Sequence, residues 1–261
     1  MNIVFLTLGS THHCYLINDV HQHFAIKKVF LQEAYAAPTP WDEKLKALLK
    51  PQKLRLSLEE KLMNALFARE KQQEARYEKE LLFKGQEPYL DATIACEKVA
   101  SFNHEDTVQK VKAENPDLII VFGTPILKGE ILNVAHKAIL NIHRGIVPEY
   151  KGGGLPTWTL YNNDFDYLGV TIHVCTANLD AGDIVAQQSY RLEKNDHIHT
   201  LRAKTTMLAA QLLKEVIRGY AQAKVTYAKQ GPGKTWRSKD LNLNKEIIAR
   251  RNLKKHLQTL N

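Results

Sequence analysis

Residues 141 to 183, NIHRGIVPEYKGGGLPTWTLYNNDFDYLGVTIHVCTANLDAGD, set polar chemistry directly against strand-like apolar runs. Just before them, Asp117-Leu118-Ile119-Ile120-Val121-Phe122 has the unbroken apolar run of a strand buried on both faces. Ala138-Ile139-Leu140 predicts another strand, which delivers Asn141 and His143 to its C-terminal edge. Open α/β sheets bind their ligands at that edge. Side chains alternate along a strand with a period of two, so Asn141 and His143 point to one side and Ile142 to the other. On pattern alone two readings stand open: two polar groups converging on one cavity, or a pair that caps a strand end.

Outward from this stretch the chain alternates. Ile3 to Leu8 predicts a strand, His12 to His23 a helix, and Ala25 to Leu31 a strand ending before the loop Ala36-Ala37-Pro38-Thr39-Pro40. Helix is expected from Ser57 to Phe83: Ser57 and Glu60 have capping-box spacing, Leu58, Leu62, Met63, Leu66 and Phe67 form the apolar stripe, and Gly85 is the stop. This segment, about 40–90, interrupts the strand-helix rhythm and reads as an insertion: a lid, an oligomer contact or plain surface packing. The rhythm resumes with a strand at Val99 to Phe102, a helix capped by Asn103 and ended by Pro116, and the strand Leu118 to Phe122. Helices follow at Leu127 to Val134 and Pro156 to Tyr161. Strands at Val170 to Val174 and Ile184 to Gln187 flank a polar loop, and a long helix from His197 to Tyr220 covers the sheet. Such alternation predicts an α/β fold: an open, twisted, mostly parallel sheet with helices on both faces. The expected layout is one domain over 1–220 and a short basic appendage over 221–261.

Asn141-Ile142-His143, Pro148-Glu149-Tyr150-Lys151-Gly152, Gly169-Val170-Thr171 and Leu179-Asp180-Ala181-Gly182-Asp183-Ile184, in this order, resemble the signature of the formyltransferases that use 10-formyltetrahydrofolate. The likeness is dense from about Pro116 to Ala186. Many members have Ser-Leu-Leu-Pro after the histidine and one further residue, where this chain has Gly145-Ile146-Val147-Pro148. The resemblance implies the Rossmann-like fold of that family, 10-formyltetrahydrofolate as formyl donor, and Asn141, His143 and Asp180 as a catalytic triad. It also favours the first carboxylate of the Leu-Asp-x-Gly-Asp run, Asp180, over its competitor Asp183.

The functional groups suit that chemistry. Passing a formyl group to an amine builds negative charge on the formyl oxygen, and the Asn141 amide and a protonated His143 can both donate to it. The amine must lose a proton, which an imidazole held by a carboxylate can relay near neutral pH. The folate is expected beside Gly123, Thr124, Pro125, Ile126 and Leu127 and beside the loop holding Leu179 and Asp183, where backbone groups can meet the pterin edge. His12, Arg144 and Lys151 are candidates to bind the acceptor, the last two through its phosphates, and His12 or His13 is expected to line the cleft because their loop follows the first strand.

Composition fits an ordinary globular protein: 261 residues, 44% hydrophobic and 25% charged. No run approaches the ~18 apolar residues of a membrane span, and the start of the chain reads as a buried strand rather than a signal peptide, so cytoplasm is the expected location. Cys14, Cys96 and Cys175 form no disulfide framework, and Cys175 reads as a small buried hydrophobe. A net charge of +8 favours anionic partners without choosing among them. Much of it lies in the tail, where Ile247, Ile248, Leu253 and Leu257 give a helix with an apolar stripe and a basic opposite face.

A metal site at His12, His13, Cys14, His21 and His23 lacks ligand spacing, and Gly9-Ser10-Thr11 lacks the further glycines of a dinucleotide loop. An RNA-binding or tRNA-acting reading follows from the basic tail. Against it, the resemblance implies a second β-barrel domain in methionyl-tRNA formyltransferases, for which the forty or so residues after Tyr220 are too few, and Trp236 alone interleaves aromatics with the basic run. Glycinamide ribonucleotide formyltransferases resemble the chain less, because their compact cores lack the insertion. Elimination within the resemblance therefore points to a small-molecule amine acceptor, a nucleotide-linked amino sugar for surface polysaccharide, with a homodimer left open.

Overall fold

A computed structural model describes residues 1–32 and 51–260, without the side chains of 51–57 and 60. The expected proline loop at 36–40 and the Ser57–Glu60 capping box lie outside what is described. The main sheet has seven strands: β1 (Ile3–Thr7), β2 (Ile26–Gln32), β3 (Cys96–Val99), β4 (Leu118–Phe122), β5 (Ala138–His143), β7 (Gly169–Val174) and β8 (Ile184–Ser189). Their order is β3-β2-β1-β4-β5-β7-β8. The first five run parallel, while β7 is antiparallel to both β5 and β8. Two short strands, β6 (Lys151–Gly152) and β9 (Thr235–Trp236), pair with each other outside this sheet.

Strands β1 and β4 are buried at every position because helices cover both faces. On one face Phe5, Ile120, Leu140, Ile142, Val170 and Ile172 pack against α1 (Thr11–His21) and α6 (Ile198–Ala221). On the other, Val4, Leu6, Ile119, Val121 and Ile139 pack against Val108 and Val111 of α4 (Glu105–Ala113) and Ile131 of a 3-10 turn. The periods of two and 3.6 read from the sequence are the ones that fill this core. Among the described residues, no helix is long and apolar enough to cross a membrane.

Several boundaries differ from expectation. The described part of the insertion holds two helices, α2 (Pro51–Leu66) and α3 (Ala68–Phe83), broken at Phe67. Leu58, Leu62 and Leu66 of the expected stripe are exposed; α3 docks instead through Leu82, Phe83 and Glu78. Strand β3 ends at Val99 instead of beginning there, because pairing with Val29 to Gln32 of β2 sets its register. The expected helix at Leu127 to Val134 is a single 3-10 turn, Gly129–Asn133. Asn103 caps no helix: His104 holds that position, and the Asn103 amide clamps the 126–128 loop, donating to Ile126 O at 3.0 Å and accepting from Lys128 N at 2.8 Å. In the tail helix α7 (Leu243–Thr259), Ala249 and Leu253 are buried against Leu160, Leu168 and Leu201, with Leu257 beside them, while Ile247 faces out. The Asn252 side chain secures that contact by donating to Leu160 O and Tyr161 O at 3.0 Å each, carbonyls of the last turn of α5 (Thr157–Tyr161).

Candidate active site

Strand β5 places Asn141 and His143 on the same side as Ile139, opposite Leu140 and Ile142, as its alternation requires. Across the antiparallel pair, Asn141 stands opposite His173 and His143 opposite Thr171. Four polar side chains therefore share one patch at the strand ends. The loop after β7 returns Asp180 over this patch. Its backbone takes a left-handed turn, φ 47°, a conformation that aspartate tolerates better than most residues.

The Asp180 carboxylate is held from four directions. Oδ1 accepts from Asn141 Nδ2 at 3.1 Å and faces His173 Nε2 at 3.3 Å. Oδ2 accepts from the Gly152 N–H at 2.8 Å and faces His143 Nδ1 at 3.4 Å. Burial raises its pKa, but the His173 hydrogen bond, the His143 charge and the Gly152 N–H outweigh burial and hold it below the usual value. His143 is pulled the other way. Burial lowers its pKa, with Asp180 and the Tyr150 carbonyl opposing. Both its ring nitrogens face acceptors, Asp180 on Nδ1 and Tyr150 O on Nε2 at 2.7 Å, so the imidazole is oriented at both ends.

Asn141 Nδ2 is 3.1 Å from both Asp180 Oδ1 and His173 Nε2, and those two atoms are 3.3 Å apart. Such a triangle is nearly equilateral, so the two partners subtend roughly 60° at a nitrogen whose hydrogens diverge by about 120°. One amide hydrogen is given to Asp180 Oδ1, and Asn141 itself lines the cavity.

That cavity, about 270 Å³, is lined by His13, Gly123 to Leu127, Asn141, His143, Arg144, Gly152 to Leu155, His173, Cys175, Leu179 and Asp180. The structure thus brings together the three triad candidates, all five candidates of the 123–127 run, Leu179 and Arg144. It leaves out three others. His12 turns away toward Glu78, 3.6 Å off, and its neighbour His13 lines the cavity instead, with Nδ1 at 2.8 Å from Thr7 Oγ1. Asp183 spends its carbonyl on Val174 N at 2.9 Å, closing the loop outside the cavity. Lys151 is buried in the β6–β9 pair and lines no part of it.

His173 went unread in the sequence, although the period of two places it on the Thr171 side of β7. Burial and the Asp180 charge raise the Cys175 thiol to about 11, which leaves it protonated and inert. His13 is lowered to about 3 by burial and the Arg144 charge. Among the described residues, no group of three or more histidine, cysteine or acidic side chains is arranged to hold a metal ion.

An open α/β sheet with an amide, imidazoles and a carboxylate converging at its strand ends belongs to the class of ligand-cleft proteins in which polar groups are aimed at a bound small molecule. Comparison supplies the family. Residues 60–217 match the family model described as "Formyl transferase", and the chain belongs to that family. It is 30% identical over 130 residues to a methionyl-tRNA formyltransferase of Caldanaerobacter subterraneus, a match spanning 49% of this chain and 41% of that protein. The chain spans less than half the length of that relative. Among solved structures it resembles a 4-N formyltransferase from Francisella tularensis, at 15% identity and a TM-score of 0.59, over 95% of this chain and 86% of that one. It also resembles an N-formyltransferase from Helicobacter canadensis in complex with folinic acid and dTDP-3-aminofucose, at 14% identity and a TM-score of 0.58, over 97% and 80%. At these identities the structural likeness establishes the fold.

Proposed function

We propose that this chain moves a formyl group from 10-formyltetrahydrofolate to a primary amine of a small phosphorylated acceptor, a nucleotide-linked amino sugar. The observation that carries the reading is the convergence of Asn141, His143 and Asp180 on one cavity beside the 123–127 run. The fit to a folate rests on the donor set. The Asn103 clamp holds the 126–128 loop from outside, leaving that run as a wall beside Leu179. The donor would supply the formyl carbon and leave with a proton on its nitrogen.

In this reading the Asn141 amide stabilises the negative charge that grows on the formyl oxygen. His143 takes the proton that the amine loses as its nitrogen bonds to the formyl carbon. Asp180 orients His143 and balances its charge while the proton is held. His173 holds Asp180 and Asn141 in register.

The amino-sugar acceptor is supported by the likeness over nearly the whole chain to proteins described as sugar N-formyltransferases. A second reading, methionyl-tRNA as acceptor, draws on methionyl-tRNA formyltransferases that share 30% and 32% identity with about half of this chain. Incubating the protein with 10-formyltetrahydrofolate and a panel of nucleotide amino sugars, read by the mass gain of one formyl group, tests the first. Charged initiator tRNA in the same assay tests the second.

A further inference from the structure

In the order β3-β2-β1-β4-β5 the chain runs outward from β1 to β2 on one side and from β4 to β5 on the other. A crevice opens at the carboxyl ends of two neighbouring strands related in this way. His13, in the first turn of α1, and Gly123, directly after β4, meet there. A Cβ on Gly123 would lie 2.6 Å from His13 Nε2 and 2.5 Å from Cε1, so glycine is what lets this edge of the ring come in. The Phe122 ring packs on its face at a centroid distance of 4.4 Å. His13 and Gly123 both line the cavity that holds Asn141.

The far edge of the ring fixes what the near edge presents. His13 Nδ1 is 2.8 Å from Thr7 Oγ1, and that hydroxyl donates to Phe122 O at 3.0 Å. A carbonyl only accepts and a hydroxyl has one hydrogen, so with that hydrogen on Phe122 O, His13 Nδ1 is the donor in its bond to Thr7. Burial and the Arg144 charge lower the His13 pKa to about 3, so the ring is neutral and carries this one hydrogen. Nε2 is therefore an open lone pair. Among the described residues the ring's only hydrogen bond is the one through Nδ1.

Charge narrows what Nε2 can meet. An anionic oxygen repels a lone pair, and an ammonium is opposed by Arg144 in the same wall. A neutral N–H or O–H is left, and an amine that attacks a formyl carbon must be neutral. We propose that His13 Nε2 accepts one N–H of the neutral reacting amine and so turns the nitrogen lone pair toward the formyl carbon beside Asn141. His13 takes no proton, since an imidazole held this far below neutral pH is too weak a base; that step stays with His143. The identity of the amine rests on the formyl-transfer reading, whereas the placement of the ring hydrogen does not.

Long-range proton–nitrogen NMR on full-length protein labelled at its histidine rings reads the tautomer, with His13 assigned by its loss in His13→Gln. A protonated Nδ1 and an unprotonated Nε2 are expected on both sides of the ordinary histidine pKa near ~6.5. Thr7→Val removes the acceptor of the Nδ1 hydrogen and should bring a protonated Nε2 into the spectrum. Formyl transfer is then measured with whichever of the nucleotide amino sugars or charged initiator tRNA the parent formylates. His13→Phe keeps a flat ring without the lone pair and should lower kcat/KM about 10- to 100-fold, mostly in kcat, with 5-formyltetrahydrofolate affinity within about twofold of the parent. His13→Gln, which restores an acceptor oxygen, should recover part of the loss. A protonated Nε2 in the parent, undiminished kcat in folded His13→Phe, or equal losses in the two variants overturns the role of His13. Failure of the parent to formylate either kind of acceptor, with the ring hydrogen where expected, overturns the formyl-transfer reading and with it the amine as the ligand.

Discussion

Asp180 is the residue on which the others depend, since Asn141, His143, His173 and the Gly152 N–H all meet its two oxygens. Replacing Asn141 with alanine is expected to cost on the order of 10²–10³ in turnover, the usual loss of an oxyanion donor. His143→Ala and Asp180→Ala should each cost about 10²–10⁴, and the double variant little more than the worse single, because they serve one proton. Single-turnover rates on the four variants check this; fully additive losses would separate the two roles. Acid has a further effect at this scale. Burial lowers the pKa of His12 and holds His13 at about 3, so these rings stay neutral in the fold and take protons on unfolding. Below the unfolded value near ~6.5 the unfolded chain binds more protons, so stability falls as pH falls, by roughly 1.4 kcal/mol per unit for each ring. Asp180, lowered in the fold, adds the same sign further into acid, below the ordinary carboxylate pKa near ~4. Urea midpoints from pH 7.5 to 4.5 should therefore decline, and His13→Gln should shrink the slope by one ring's share; identical slopes would show that His13 is not held neutral.

At the scale of elements, short strand β9 reaches the site through its partner. Gly152 has φ 91°, and a Cβ there would run into the Trp236 carbonyl, so only glycine lets β6 lie against β9 and aim its N–H at Asp180. Gly152→Ala is expected to lower turnover with every triad side chain intact, read as kcat falling in protein whose near-UV circular dichroism is otherwise preserved. Removing Asn244 to Asn261 uncovers Leu160, Leu168 and Leu201, and should reduce the melting temperature more than it reduces kcat. The sequence made the parallel strands legible because unbroken runs such as Leu118 to Phe122 and Ile3 to Thr7 have one stable use, a strand buried on both faces. Asn141 and His143 were legible through the strand that carries them. What local pattern could not supply was set by distant partners. The β3 register depends on β2, the Asn103 side chain on a loop more than twenty residues on, and His173 on the strand pairing that puts it opposite Asn141. The Ser57 to Phe83 stripe misled because amphipathic spacing says that one face is apolar, not which face docks.

Over the whole molecule, the cavity at Asn141 is about 270 Å³, and under the proposed function it receives a small-molecule acceptor. An RNA acceptor would instead be held by many phosphates, and its affinity would drop by roughly 10³–10⁵ between 50 and 200 mM salt if six to ten were engaged. The net charge of +8 permits either partner, and the tail's basic residues alone do not separate them. The most direct test is formyl transfer from 10-formyltetrahydrofolate, measured side by side on nucleotide amino sugars and on charged initiator tRNA, with the parent protein and His143→Ala. The account expects one nucleotide amino sugar to gain a single formyl mass at a rate that His143→Ala cuts by at least about 10². Near-normal transfer by folded His143→Ala, or efficient transfer to the tRNA with none to any amino sugar, would contradict it.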